Sequence, residues 1–189
     1  MDIIERVRRC TLCRGELPFE PRPVIQGLPA AKILIAGQAP SLSVQKTGKP
    51  FNDASGKRLR DWLGVTEAQF YDPALFAIIP MAFCYPGRGK SGDLPPPKIC
   101  AQTWRAPLLE VFNNIELTIL IGQYAQSYHI ADFVSVSQAV TEWRAGLPGQ
   151  IALPHPSPRN QLWVKKRPWF EADVLPVLRT RVREVLFAF

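Results

Sequence analysis

The chain has 189 residues, of which 47% are apolar and 21% charged. That length and balance suit one globular unit with a sizeable core and exclude a largely disordered chain. The 23 Lys and Arg against 16 Asp and Glu leave a net charge of +7, which favours a polyanionic partner, because each neutralised phosphate releases counterions.

The opening MDIIERVRRC reads as a charged helical start. It lacks the apolar run of a signal peptide, so a cytoplasmic location is expected. It leads into a Cys10-x2-Cys13 pair. Residues 32–37, KILIAG, form a short apolar run ending in Gly, which predicts a buried strand. In SGKRLRDWLG (55–64), Leu59, Trp62 and Leu63 fall at helical spacing, with Ser55 to cap and Gly64 to stop. LFAIIP (75–80) predicts a second strand halted by Pro80. CYPGRGKSGDLPPP follows as a rigid basic loop, one cause of a proline count of 19, about twice the usual share of roughly 5%. A helix through Cys100, Trp104 and Leu108 comes next, perturbed by Pro107. ELTILIG (116–122) predicts a third strand, and Gly122-Gln123-Tyr124-Ala125 opens another helix. Residues 135–144 form a further helix. QIAL (150–153) predicts a fourth strand running into PHPSP. Val174, Leu178, Val182 and Val185 then share one face of a C-terminal helix. Residues 150–189 hold seven basic and three acidic side chains, +4 of the net charge. No stretch approaches the roughly 20 apolar residues of a membrane span, so no membrane partner is expected.

Strands alternating with helices predict an α/β fold, a parallel sheet covered on both faces. Open α/β sheets bind ligands beyond the carboxyl ends of their strands. The four segments there (GQAPS, the proline-rich loop, GQYA and PHPSPRN) are expected to meet in one site.

The four cysteines are Cys10, Cys13, Cys84 and Cys100, with two, seventy and fifteen residues between them. Intracellular proteins rarely keep disulfides, so this set suggests a metal held by four thiolates. Zinc and a cubane iron–sulfur cluster both accept such a set, and spacing does not choose between them. Either would be structural, tying the N-terminus to the middle of the chain. A redox dithiol at Cys10 and Cys13, or four buried thiols without a ligand role, are the alternatives.

Taken together, Gly37-Gln38-Ala39-Pro40, Gly48-Lys49-Pro50-Phe51, Ala54-Ser55-Gly56, His155-Pro156-Ser157-Pro158 and the four cysteines resemble the uracil-DNA glycosylase superfamily, most closely its iron–sulfur branch, family four. The likeness covers nearly the whole of residues 1–189, as a single domain. It implies a three-layer α/β/α fold with a four-stranded parallel sheet. It also implies a 4Fe-4S cluster on Cys10, Cys13, Cys84 and Cys100, with zinc as the alternative. The partner it implies is DNA containing a deaminated base, bound by a monomer that flips the nucleotide out of the stack.

By this resemblance Phe51 stacks on the flipped base. His155 donates to the base's O2, where negative charge gathers as the bond breaks. Gln38 and Ala39 occupy the segment that supplies backbone donors and a water-orienting group. Relatives usually carry Glu where Gln38 stands, so Asp53 is nominated to position water, with a turn or N-cap role as its alternative. Relatives also carry a base-reading Asn four residues before the third cysteine, where this chain has Pro80. Asn52 is the expected replacement. The loop that enters the duplex would be Ser157–Trp163, with Arg159, Leu162 and Trp163 as wedge candidates. Ser157, Lys165, Lys166 and Arg167 suit phosphates. Two other activities stay open: a metal-stapled DNA-binding module without catalysis, and a thiol redox protein.

Overall fold

A computed structural model describes residues 2–187. In chain order the elements are α1 (Ile3–Arg8), β1 (Ile33–Ala36), α2 (Leu42–Thr47), α3 (Ala54–Leu63), α4 (Glu67–Phe70), β2 (Phe76–Ile78), α5 (Lys98–Val111), β3 (Leu117–Ile121), α6 (Gly122–His129), α7 (Val136–Thr141), β4 (Gln150–Leu153), α8 (Gln161–Lys165) and α9 (Leu175–Phe187).

The four strands form one parallel sheet in the order β2-β1-β3-β4. The register lines up Ile78, Ile35, Ile119 and Ile151 across it. These residues face a core shared with Leu59, Trp62 and Leu63 of α3 and Leu178, Val182 and Val185 of α9. Side chains alternate along a strand, so Leu34 and Ala77 face the other way, into a second core with Ile4 and Val7 of α1 and Leu108 of α5. The sheet is therefore buried on both faces, which is why its strands read as apolar runs without alternation. This is the expected three-layer α/β/α arrangement.

Three local expectations change. Helix α3 begins at Ala54, capped by Asp53 and not Ser55: an Asp53 oxygen accepts from the Gly56 N–H. Both residues are good caps, and Asp53 comes first. The helix does stop at Gly64, which takes the left-handed conformation. The helix expected over 135–144 ends at Thr141 and gives way to a 3-10 turn over Trp143–Gly146. Helix α5 continues unbroken past Pro107. An internal proline costs about 3 kcal/mol, which the fully buried Leu108 beside it helps to offset. No helix among the described residues is long and apolar enough to cross a membrane.

Candidate active-site cleft

A cleft of about 480 Å³ opens at the carboxyl ends of β1, β2 and β4. That volume lies within the usual range for ligand sites. Its base is the Gly37–Pro40 segment after β1. This backbone is fixed from β2's extension: the Met81 and Ala82 N–H groups donate to the Gly37 and Gln38 carbonyls at 2.9 and 3.1 Å. The Gln38 amide nitrogen donates to the Leu94 carbonyl at 2.9 Å, so this side chain holds the proline-rich loop in place. Ala39 lines the cleft beside it.

Phe51 stands at the wall with φ +50°, the one non-glycine residue in the left-handed region among those described. Such a conformation is costly for an aromatic residue and persists only where surroundings enforce it. The enforcement is visible. Tyr71 Oη lies 2.9 and 3.0 Å from the Pro50 and Phe51 carbonyls, and Arg60 donates to the latter at 3.2 Å. Burial raises the Tyr71 pKa, which keeps the phenol protonated as a donor. The ring meets Phe70 edge-on at 6.2 Å. Gly56 completes the clamp, because a Cβ there would collide with the Phe51 carbonyl. Gly56→Ala must therefore push Phe51 out of place. We expect it to lower turnover at this cleft by about tenfold or more, since small misplacements at a reacting site carry costs of this size. Single-turnover assays should show this with the circular-dichroism spectrum retained.

His155 also lines the cleft, after β4. Its Nδ1 accepts from the Ser157 N–H at 3.1 Å. The neutral ring must then carry its proton on Nε2, which leaves one donor available to a ligand. The pKa is pulled below its ordinary value by burial, against the opposing charges of Asp53 and Asp93. The Asn160 amide holds the His155 carbonyl at 2.8 Å. Asp53 also lines the cleft. One of its oxygens caps α3, and the other lies 3.4 Å from the Ser41 hydroxyl. It is thus both helix cap and cleft carboxylate, two roles the sequence had set against each other.

The structure brings Gln38, Ala39, Phe51, Asp53, His155, Ser157 and Arg159 to one cleft. Asn52 is not among its lining residues. Its amide donates to Thr47 Oγ1 at 2.8 Å and its oxygen accepts from Ser43 at 3.1 Å, so it braces α2 and is not placed as the replacement reader. Trp163 is turned inward. Its indole N–H donates to Ser137 at 2.9 Å and Arg167 stacks over it at 4.3 Å, so the ring is not free to wedge. Leu162 stands proud, 69% exposed, and Arg159 is exposed as well, so both stay in place as wedge candidates. Lys165 and Lys166 are exposed and lie outside the ion pairs formed among the described residues. The GQYA segment does not reach this cleft. Gly122 and Gln123 line an adjoining cavity of about 280 Å³ that shares Gln38, His155 and Asn160 with it.

Sequence reasoning missed Asp93, which lines the cleft from the proline-rich loop with Ser91 and Gly92. That loop doubles back on itself, with Arg88 and Asp93 bridged. Nothing in its composition pointed inward.

Cys10, Cys13, Cys84 and Cys100 line one small, largely apolar cavity beneath α1 and α5. Burial first, and mutual repulsion second, push Cys84 up to about 11 and Cys100 up to about 12. Cys13 is raised for the same two reasons. The Trp104 indole N–H donates to Cys10 Sγ at 3.3 Å. Four thiols around one cavity fit a metal–thiolate centre by donor chemistry, with an indole donor of the kind that supports ligating sulfur. Among the described residues no group of acids, histidines and thiols is drawn in tightly enough to hold a single metal ion.

A parallel sheet covered on both faces, with an imidazole and an aromatic ring lining one cleft beyond its strand ends, makes this an α/β protein with a ligand site in the usual place for this class. The sequence model of the Uracil DNA glycosylase superfamily matches residues 25–179. The chain belongs to that superfamily, whose members act on DNA as base-excision glycosylases.

Proposed function

We propose that this chain is a monofunctional DNA glycosylase. It hydrolyses the N-glycosidic bond of a flipped, deaminated base, uracil foremost, and leaves an abasic site. The observation that carries the reading is that Phe51 and His155, the latter with Nδ1 occupied, line one cleft. The base enters against the Phe51 ring. As its bond to C1′ breaks, the bonding electrons pass to the base, and the His155 donor meets the charge gathering at O2. Water adds to the sugar cation at C1′, held by the Asp53 oxygen that also lies near the Ser41 hydroxyl, and its proton leaves to solvent. The departing base regains a proton from solvent. Among the described residues no lysine lines the cleft to form a Schiff base, and the reaction we propose does not include strand cleavage.

Ser157 and Arg159 at the cleft rim, with exposed Lys165 and Lys166, take backbone phosphates, and Leu162 fills the gap in the duplex. Arg167, engaged with Trp163, contributes less. Cys10, Cys13, Cys84 and Cys100 hold a 4Fe-4S cluster, which supplies a structural tie between α1 and α5 and takes no part in bond cleavage. The unit acts as a monomer in the cytoplasm.

Pro80 lines the cleft where relatives read uracil with an amide, and this favours a second reading, a DNA-binding module with weak or no catalysis. One assay separates the two. Single- and double-stranded oligonucleotides carrying uracil, hypoxanthine or xanthine are incubated with the protein, and abasic sites are cleaved with alkali. Release from any of them supports the glycosylase. Salt-sensitive binding without release from all three overturns it.

A further inference from the structure

Arg105 of α5 is the largest side chain in the fully buried interior, 1% exposed. A buried guanidinium normally meets a carboxylate. This one makes no ion pair among the described residues. Its partners are neutral. Nη1 donates to the Ile79 and Pro80 carbonyls at 2.9 and 3.2 Å. Nε and Nη2 converge on His129 Nε2 at 3.1 and 2.8 Å. His129 is held neutral, its pKa lowered to about 4 by burial and by the Arg105 charge, so it can accept both bonds. The fold keeps an expensive charge to make these four contacts.

The contacts lead to the cleft. Strand β2 ends at Ile78, so the Ile79 and Pro80 carbonyls lie past the paired strand and take their hydrogen bonds from Arg105. Pro80 itself lines the cleft. The next two residues, Met81 and Ala82, donate to Gly37 and Gln38. Gly37 in turn lies under Phe51, whose ring tip would be 3.7 Å from a Cβ placed there. A line of direct contacts therefore runs from the guanidinium through residues 79–82 to the cleft base and the stacking ring. Only a planar fork of donors can reach two carbonyls on one side and an imidazole on the other. A lysine ammonium is a single point.

We propose that Arg105 is a positioning residue of the cleft, a strut that holds the Ile79–Ala82 segment and, through it, the Gly37-Gln38 backbone against the bound base. The strut also stands on the helix that carries Cys100, so the thiol site and the cleft share one rigid member.

The test compares Arg105→Met with Arg105→Lys in the full chain. Hydrogen exchange is followed at the Met81 and Ala82 amides, with Ile119 and Leu120 in the sheet centre as an internal control. In Arg105→Met the first pair should exchange about tenfold faster while the control pair holds, because the loss is local. Single-turnover release from uracil DNA should fall about tenfold or more, with the DNA dissociation constant within about threefold. Arg105→Lys should fall between that variant and the unaltered protein on both measures, and it carries the test alone if the methionine variant does not fold. Unchanged exchange at Met81 and Ala82, or equal loosening of the whole sheet, overturns the strut. Local loosening with an unchanged release rate overturns it too. The rate measurement rests on the glycosylase reading. If the unaltered protein releases no base, that reading fails by itself, and the exchange measurement still decides for or against the strut.

Discussion

His155→Ala should lower the single-turnover rate of base release by about 10²–10³-fold, which is about 2.7–4 kcal/mol, the usual loss for one donor aimed at developing negative charge. The reason is geometric. The Ser157 N–H occupies Nδ1, which commits the ring proton to Nε2 and leaves no freedom of tautomer. Burial holds the ring neutral by lowering its pKa, so the donor enters the reaction without a charge that would have to be desolvated again. A neutral donor contacts the ground-state carbonyl weakly and the departing anion strongly. The loss should therefore fall on the chemical step. The check is a pair of measurements: release rate at saturating enzyme, and the dissociation constant for the same DNA. A large fall in rate with binding inside about threefold supports the assignment. A parallel fall in both would make His155 a binding residue only. An unchanged rate would remove it from the site.

Much of this cleft was legible because its parts sit next to strand ends, and the strands were short β-branched runs that had to be buried. Gln38 and His155 follow such runs, so locating the sheet located them, whereas Phe51 and Asp53 lie past α2 and were found by their motif. What escaped was direction. Asn52 and Asp53 are neighbours, yet one braces α2 and the other faces the cleft. The left-handed turn at Phe51 decides which is which, and no residue type announces φ > 0 on a phenylalanine. Trp163 lies beside Leu162 on the same short helix, and a single hydrogen bond to the distant Ser137 turns it inward. Nothing near Arg105 in the sequence marks it as buried, because the carbonyls that need it lie some 25 residues away. Asp93 escaped for a related reason. Its loop reaches the cleft through a side chain from β1's end, Gln38 bound to Leu94.

Replacing one cysteine should have the largest effect on stability, and the same effect whichever of the four is chosen. With no cation in the cavity, burial and repulsion hold the Cys84 and Cys100 thiols protonated, at about 11 and about 12. A bound cluster reverses this, because ligation needs thiolates and the metal charge compensates them. Much of the fastening of the short α1 to α5 would then depend on the metal, since the two helices share only a modest core around Ile4, Val7 and Leu108. Cys100→Ser should give a colourless protein without bound iron or sulfide, against a brown one when the unaltered chain is purified without air. A loss on the order of 4 kcal/mol would lower Tm by about 10 °C for a chain this long. Cys13→Ser and Cys84→Ser should do the same, because a shared centre fails when any one ligand is lost. Zinc alone in the unaltered protein would remove the cluster and keep the four-thiolate centre. A redox dithiol would show a different pattern: sensitivity at Cys10 and Cys13, indifference at Cys84 and Cys100, and no metal. That pattern would remove the centre altogether and leave the cleft above it to stand on its own contacts.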